Sequence, residues 1–266
     1  MSNSIFGSLL PTPLLERRGV PFYHDKTEKE FSDDVYERYD IYVNRQTALH
    51  LADELYGRYP LQELKDYLFR FLPTSAGLRV ADIGCSVGRL IGDIALSRPE
   101  WDCYGIDYSY QMLRQAQRYW NAGETITPNL YRYGWGAPAL TGSALRNMHF
   151  ALAKAETLPF PDASLDFLFS TFLIDRLGNP FGALAEWARV LRPGGQLLIV
   201  SPLNFLDPTA WRQAHPPIKV LTKLQTLGWE LEDWTDPLSL REPMDARGNY
   251  VGWQCIAAAF RKPETS

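Results

Sequence analysis

The stretch from Leu78 to Ser97 constrains the fold more than any other. Four residues, Leu78 to Ala81, make a short apolar run, and Asp82 follows near its end. Gly84 and Gly88 come next, and then Leu90, Ile91, Ile94 and Ala95 recur at helical spacing. The pattern predicts a strand, a tight glycine-bearing loop and a helix. Glycines permit positive φ and let a ligand approach the backbone, and the helix that follows offers its positive end. Nineteen positions beyond Gly88, Asp107 closes a second apolar run, Tyr104 to Ile106. An acid at the end of the second strand is where α/β nucleotide binders hold a ribose by its hydroxyls. As a bare residue, Asp107 could instead cap a helix.

From Leu78 onward, short apolar runs alternate with amphipathic segments, which argues for a doubly wound, mostly parallel sheet. Strands are expected at 78–83, 102–107, 148–152, 165–170, 195–201, 229–234 and 251–260, giving seven. Helical spacing is expected over Leu90–Ser97, Tyr110–Tyr119, Phe181–Leu191 and Ile218–Leu227. Upstream, Asp33 to Pro60 reads as helical, with Tyr36, Tyr39 and Tyr42 on one face, either lining a substrate pocket or packing on the sheet. A further helix carries Leu61, Leu64, Leu68 and Phe71. The first 30 or so residues, rich in Pro, Ser and charge, are expected to lie over the surface or to be disordered. The chain thus divides into an N-terminal segment with a helical cap, 1–77, and a ligand-binding domain, 78–266. Residues 121–147 interrupt one helix-to-strand connection and read as an insertion; its rings Tyr131, Tyr133 and Trp135 need something to pack against.

Composition narrows the class. The 266 residues are 45% apolar and 22% charged, an ordinary globular balance. A net charge of −4 gives no footprint for a duplex, so no nucleic-acid partner is expected. Three widely spaced cysteines, Cys85, Cys103 and Cys255, make neither a disulfide framework nor a metal site and suit a reducing cytoplasm. Met1 to Leu15 has no basic lead or long apolar core, so no signal peptide is expected. No run approaches the roughly 18 apolar residues of a membrane span.

The dinucleotide fingerprint needs G-x-G-x-x-G, which this loop lacks, and that leaves a nicotinamide oxidoreductase as a remote alternative. Asp82-Ile83-Gly84-Cys85-Ser86-Val87-Gly88 instead resembles the D-x-G-x-G-x-G motif of class I S-adenosylmethionine-dependent methyltransferases, with Ser86 in place of the middle glycine. Gly105-Ile106-Asp107-Tyr108-Ser109 through Met112-Leu113 is similar to that family's G-x-D-x-S-x-x-M-L segment. Ala155-Glu156-Thr157-Leu158-Pro159-Phe160-Pro161-Asp162 is similar to its A-E-x-L-P-F-x-D loop, and Arg189 to Gly195 to its R-V-L-x-P-G-G turn. The resemblance covers about Leu78 to Leu203.

It implies a Rossmann-like sheet whose last strand, Val251 to Phe260, is antiparallel. It also implies S-adenosylmethionine as cofactor, held by Asp82, Gly84, Cys85, Ser86, Gly88, Asp107, Tyr108, Met112, Ala155, Glu156 and Thr171. Met112 reads equally as core. Lys154 departs from the family, which often has an aspartate there to accept from the adenine amino group; a lysine cannot accept. The branch resembled methylates quinones, sterols and similar small molecules, which suggests a small, apolar or aromatic acceptor. Candidate catalytic groups are Asp175, Arg176 and His24, and candidate substrate contacts are Tyr39, Tyr131, Tyr133 and Trp135. A protein or RNA methyltransferase, or a cofactor-binding subunit without turnover, remain the alternatives. Neither the acceptor atom nor the oligomeric state is legible.

Overall fold

A computed structural model describes residues 9–264, so readings that fall on 1–8 lie outside the described residues. The sheet has nine strands: β1 Leu15–Arg17, β2 Val20–Phe22, β3 Arg79–Ile83, β4 Asp102–Asp107, β5 Met148–Leu152, β6 Leu165–Thr171, β7 Leu191–Ser201, β8 Glu230–Pro243 and β9 Tyr250–Arg261. Their order is β1-β2-β5-β4-β3-β6-β7-β9-β8. Strands β5, β4, β3, β6 and β7 pair parallel, and β9 runs antiparallel to both β7 and β8.

The expected seven strands are therefore present, and the two extra ones correct the count. They come from the segment expected to be surface or disorder. Arg17 pairs with Val20 across a two-residue turn in which Arg18 (φ 50°) and Gly19 (φ 79°) are both left-handed, the turn that suits a twisted hairpin. Val20 and Phe22 are buried, and β2 extends the sheet beside β5 through Phe22 and Leu152. Three-residue strands are too short to show a period of two, which is why the pattern was silent.

The helices are α1 Glu28–Asp33, α2 Val35–Arg38, α3 Asp40–Leu51, α4 Asp53–Tyr56, α5 Gln62–Arg70, α6 Arg89–Ser97, α7 Tyr110–Ala116, α8 Pro180–Val190, α9 Pro208–Ala214 and α10 Ile218–Thr226. The single helix expected over 33–60 is broken into short pieces. Asp34 spends its side chain capping α2 through Tyr36 N–H, and Tyr39 is extended (φ −136°), so the helix restarts twice. Beyond the sheet's first half, Ser109, Asn179 and Asp207 cap α7, α8 and α9, with Pro at the first turn of the last two.

Successive residues of the central strands face opposite layers. Val80, Cys103, Phe150 and Phe169 point to the layer that holds α3, α5, α6 and α7; Ala81, Tyr104, Ile106 and Leu168 point to the layer of α8 and α10. The segment 121–147 is ordered rather than loose. A π-helical turn, Gln117–Asn121, leads into an isolated bridge between Ile126 and Leu140, and a 3-10 turn covers Tyr131–Tyr133. The long β8–β9 hairpin curls back to this insertion, where Ala246 N–H donates to the Tyr133 carbonyl. No helix among the described residues is long and apolar enough to cross a membrane.

Candidate active site

Strands β4 and β5 lie on one side of β3, and β6 and β7 on the other, so the crevice at the carboxyl ends of β3 and β6 is the sheet's topological switch point. The two strand ends are joined there by the Ser170 hydroxyl, which donates to the Ile83 carbonyl at 2.8 Å. The glycine loop leaves β3 under tight control. Gly84 and Cys85 N–H both donate to the Ile106 carbonyl, and Ser86 N–H donates to an Asp107 carboxylate oxygen at 2.8 Å. The other Asp107 oxygen accepts from Ser109 N–H, also at 2.8 Å.

Ser86 meets the turn's demand that a glycine would otherwise meet: it sits at φ 52°, between Gly84 (85°) and Gly88 (76°). Phe172, on the loop after β6, is left-handed too (φ 56°). Two non-glycine residues in this region, on facing loops of one crevice, are the kind of local strain that collects at functional sites.

A cavity of about 270 Å³ opens between these loops, lined by Gly84, Asp107, Tyr108, the 153–156 segment and the 173–178 segment. The sequence-derived residues Ala155, Glu156 and Arg176 line it as well. Asp82, Cys85, Ser86 and Gly88 form the adjacent loop floor. Burial, then the nearby Asp107, raises the Asp82 carboxyl well above the usual carboxylate range. Its Oδ1 is buried and has no hydrogen-bond partner among the described residues. Burial also raises Asp107, against the pull of its backbone donors, and raises the Cys85 thiol so that it stays protonated. Met112 is buried, as the core reading requires, and Thr171 is the half-buried last residue of β6.

A strap from Tyr23 to Arg38 crosses above Tyr108. Lys26, its side chain wholly out of solvent, lies 4.6 Å above the Tyr108 ring, 2.9 Å from Asp34 and 4.0 Å from Glu37. Glu37 accepts from Tyr110 N–H and so pins the strap to the start of α7. Lys154, where the family often has aspartate, pairs with Glu30 of the strap at 2.7 Å. His24 packs its ring on Tyr108 and lies 3.7 Å from Glu30.

Several expectations place differently. Asp175 is 1% exposed; its Oδ2 accepts from Asn204 N–H at 2.9 Å and fixes the loop after β7. Tyr39 and Tyr131 are 45% and 70% exposed and are not among the residues that line the cavity. Tyr133 and Trp135 are packed against the core, with Trp135 edge-on to Tyr56 at 5.2 Å. Tyr36, not singled out within its stripe, is the inward-facing tyrosine, and Trp253 packs on Phe172 at 5.6 Å. The signal for Tyr36 was Asp34 two residues before it, a cap that fixes which way α2 turns.

Residues 81–199, from β3 to β7, match the family described as a methyltransferase domain. That stretch is similar to a methyltransferase domain. The chain is 30% identical to the demethylmenaquinone methyltransferase of Tropheryma whipplei, over 62% of this chain and 63% of that protein. It is 29% identical to the aklanonic acid methyltransferase of a Streptomyces species, over 48% of this chain and 49% of that one. The chain spans between 24% and 63% of the length of the curated relatives that it matches first. A solved S-adenosylmethionine-dependent methyltransferase from Aquifex aeolicus superposes with a TM-score of 0.51 at 17% identity, covering 84% of this chain and 98% of that one, which is a likeness of fold. S-adenosylmethionine is the cofactor of this domain class, and the cavity fits it. An acid at the end of β4 faces the glycine loop, and a buried carboxylate oxygen awaits a donor.

Proposed function

We propose that the protein transfers a methyl group from S-adenosylmethionine to a small, apolar or aromatic acceptor by direct displacement. The observation that carries this reading is the crevice itself: Gly84, Asp107 and the 153–156 segment line one cavity, beside an Asp82 oxygen left without a partner. When bound, the cofactor supplies an already activated methyl on a sulfonium, so the protein's work is positioning and the exclusion of water.

In this reading Asp107 takes the ribose hydroxyls while keeping Ser86 and Ser109 in place. Asp82 and the 84–88 turn receive the amino-acid end. Tyr108, Ala155 and Glu156 flank the base. Lys154 cannot accept from an adenine amino group, and its pairing with Glu30 ties the base side of the cavity to the strap instead.

An apolar or aromatic acceptor is supported by the rings gathered on the other side. Tyr36 from the cap, Trp135 from the insertion, Phe172 from the β6 loop and Trp253 from the β8–β9 hairpin all pack against one core layer. An ion pair between Arg45 and Glu242, with Trp253 Nε1–H donating to Glu242, closes the hairpin onto the cap. Aromatic rings packed near the crevice suit both a cationic donor and a flat acceptor. The three described cysteines are buried and unpaired, in keeping with a reducing cytoplasmic setting.

The test is a calorimetric titration with S-adenosylhomocysteine, run on the parent and on Asp107→Ala. Micromolar binding that the variant loses supports the reading. A folded parent that binds nothing overturns it.

A further inference from the structure

We propose that Arg176 holds the acceptor as an oxyanion, and that the natural acceptor is therefore an acidic hydroxyl compound (a phenol, an enol or a carboxylic acid) rather than an amine. The inference rests on the methyltransferase reading and adds the chemical class of acceptor to it.

Arg176 lines the same cavity as Gly84 and Asp107. It ends the 3-10 turn Ile174–Arg176, whose position is fixed from both sides: Arg176 N–H donates to the Leu173 carbonyl, and the buried Asp175 carboxylate holds Asn204 N–H. The guanidinium itself is loosely attended. Asp175 Oδ1 approaches its Nε at 3.8 Å, beyond hydrogen-bond range, and among the described residues no carboxylate grips its two terminal nitrogens in the bidentate way that Asp53 grips Arg89. A fork of donors facing a cavity and left open is suited to a carboxylate or phenolate.

None of the four histidines lines the cavity. Two carboxylates line it: Asp107 is engaged by Ser86 and Ser109, and Glu156 belongs to the 153–156 segment given above to the cofactor's base. An amine acceptor arrives protonated at neutral pH and needs a base to free its lone pair. An acidic hydroxyl loses its proton to water and needs only a cation to hold the anion.

Tyr36 completes the arrangement. The charges of Asp107, Asp34, Glu242 and Arg176 all act on its phenol, so it lies within reach of both the cofactor acid and the guanidinium. Burial, then the three acids, keep that phenol protonated, so it can donate a hydrogen bond but not serve as a base. The step then balances simply. The bound oxyanion attacks the methyl carbon, an O–C bond forms, and the C–S bond breaks with its electron pair going to sulfur. Anion and sulfonium cancel to a neutral ether or ester and a neutral thioether.

The test uses the protein loaded with S-adenosylhomocysteine and three shape-matched probes: 1-naphthoic acid, 1-naphthol and 1-naphthylmethylamine, read by fluorescence titration. The expected result is at least tenfold tighter binding of the acid than of the amine, with 1-naphthol in between at pH 8. Arg176→Gln should abolish that preference and Arg176→Lys retain part of it, while affinity for S-adenosylhomocysteine stays the same in both. An equal response to all three probes, binding of none of them to the loaded parent, or the same preference in Arg176→Gln overturns the assignment. So does a tenfold loss of S-adenosylhomocysteine affinity in Arg176→Gln, which would make Arg176 a cofactor ligand. A parent that fails to bind S-adenosylhomocysteine refutes the methyltransferase reading instead, and the two failures are distinct.

Discussion

One carboxylate oxygen of Asp107 accepts the Ser86 N–H at 2.8 Å, so the acid that ends β4 also fixes the turn that follows β3. Loop shape and ligand contact thus share one side chain. Replacing Asp107 by Asn removes the charge and one acceptor, so one of the two backbone N–H groups, of Ser86 or Ser109, faces an amide nitrogen that cannot accept. Charge-assisted hydrogen bonds contribute about 1.5–3 kcal/mol each, so affinity for S-adenosylhomocysteine should fall on the order of a hundredfold. Thermal stability of the ligand-free protein should fall as well, by about 1–2 kcal/mol, because a backbone donor of the turn is left without its acceptor, a loss that the relief of a buried charge offsets only in part. Calorimetry beside a melting curve checks both halves.

Asp82 gives a pH dependence with a definite sign. Burial raises its carboxyl far above the usual range, with Asp107 adding to the shift. The folded protein therefore holds this proton more tightly than the unfolded chain does. Its contribution to stability is complete below the unfolded value, about 3.9, and is lost as pH climbs from there through the raised value. Asp82→Asn should flatten that decline, so that the ligand-free variant melts higher than the parent at pH 8 and shows little gain at pH 4. The same variant should bind S-adenosylhomocysteine more weakly, since an amide cannot replace a carboxylate toward a cation. A melting temperature unchanged at pH 8 would count against the buried, proton-holding Asp82.

How much of this was legible follows from where the signal lies. Leu78 to Asp107 could be read because each element there is long enough to show its own period, and because Gly84, Gly88 and Asp107 answer to one ligand geometry. Arg18 and Gly19 could not be read, since Arg-Gly is an uncommon pair for a two-residue hairpin turn and its strands are three residues long. The tyrosine stripe misled for another reason. Its spacing is helical, but the Asp34 cap and extended Tyr39 reset the helix, so Tyr36 turns inward while Tyr39 and Tyr42 turn out. The β8–β9 hairpin reaches the cap through Glu242 and Met244 and the insertion through Ala246, contacts set by tertiary packing alone.

Lys26 should be the strap's most sensitive position. Its ammonium is out of solvent against Asp34 and Glu37, over the Tyr108 ring. Lys26→Met would strand two partly buried carboxylates, a change that costs on the order of 3 kcal/mol when one member of a buried set is removed. Because Glu37 joins the strap to α7, the loss should appear as faster hydrogen exchange across residues 23–38 and at Tyr110. Exchange confined to Lys26 itself would argue that the strap is held by packing instead.

Gly92 tests the support beneath the glycine loop. A Cβ built there would lie 2.5 Å from the Trp120 ring, while Trp120 Nε1–H donates to the Val87 carbonyl at 2.9 Å within the loop. Trp120 is thus a prop pressed between α6 and the turn. Gly92→Ala would gain up to about 1 kcal/mol of helix propensity on α6, yet overpacking of this kind costs about 1–3 kcal/mol. The clash involves a buried indole that cannot retreat without breaking its bond to Val87, so the cost should win. Chemical denaturation should show a net loss of about 1–2 kcal/mol, and S-adenosylhomocysteine affinity should fall although residue 92 does not line the cavity. Gly92→Ala combined with Trp120→Phe, which relieves the clash and removes the Val87 bond together, should recover stability but not affinity. Recovery of both would show that the indole only fills space.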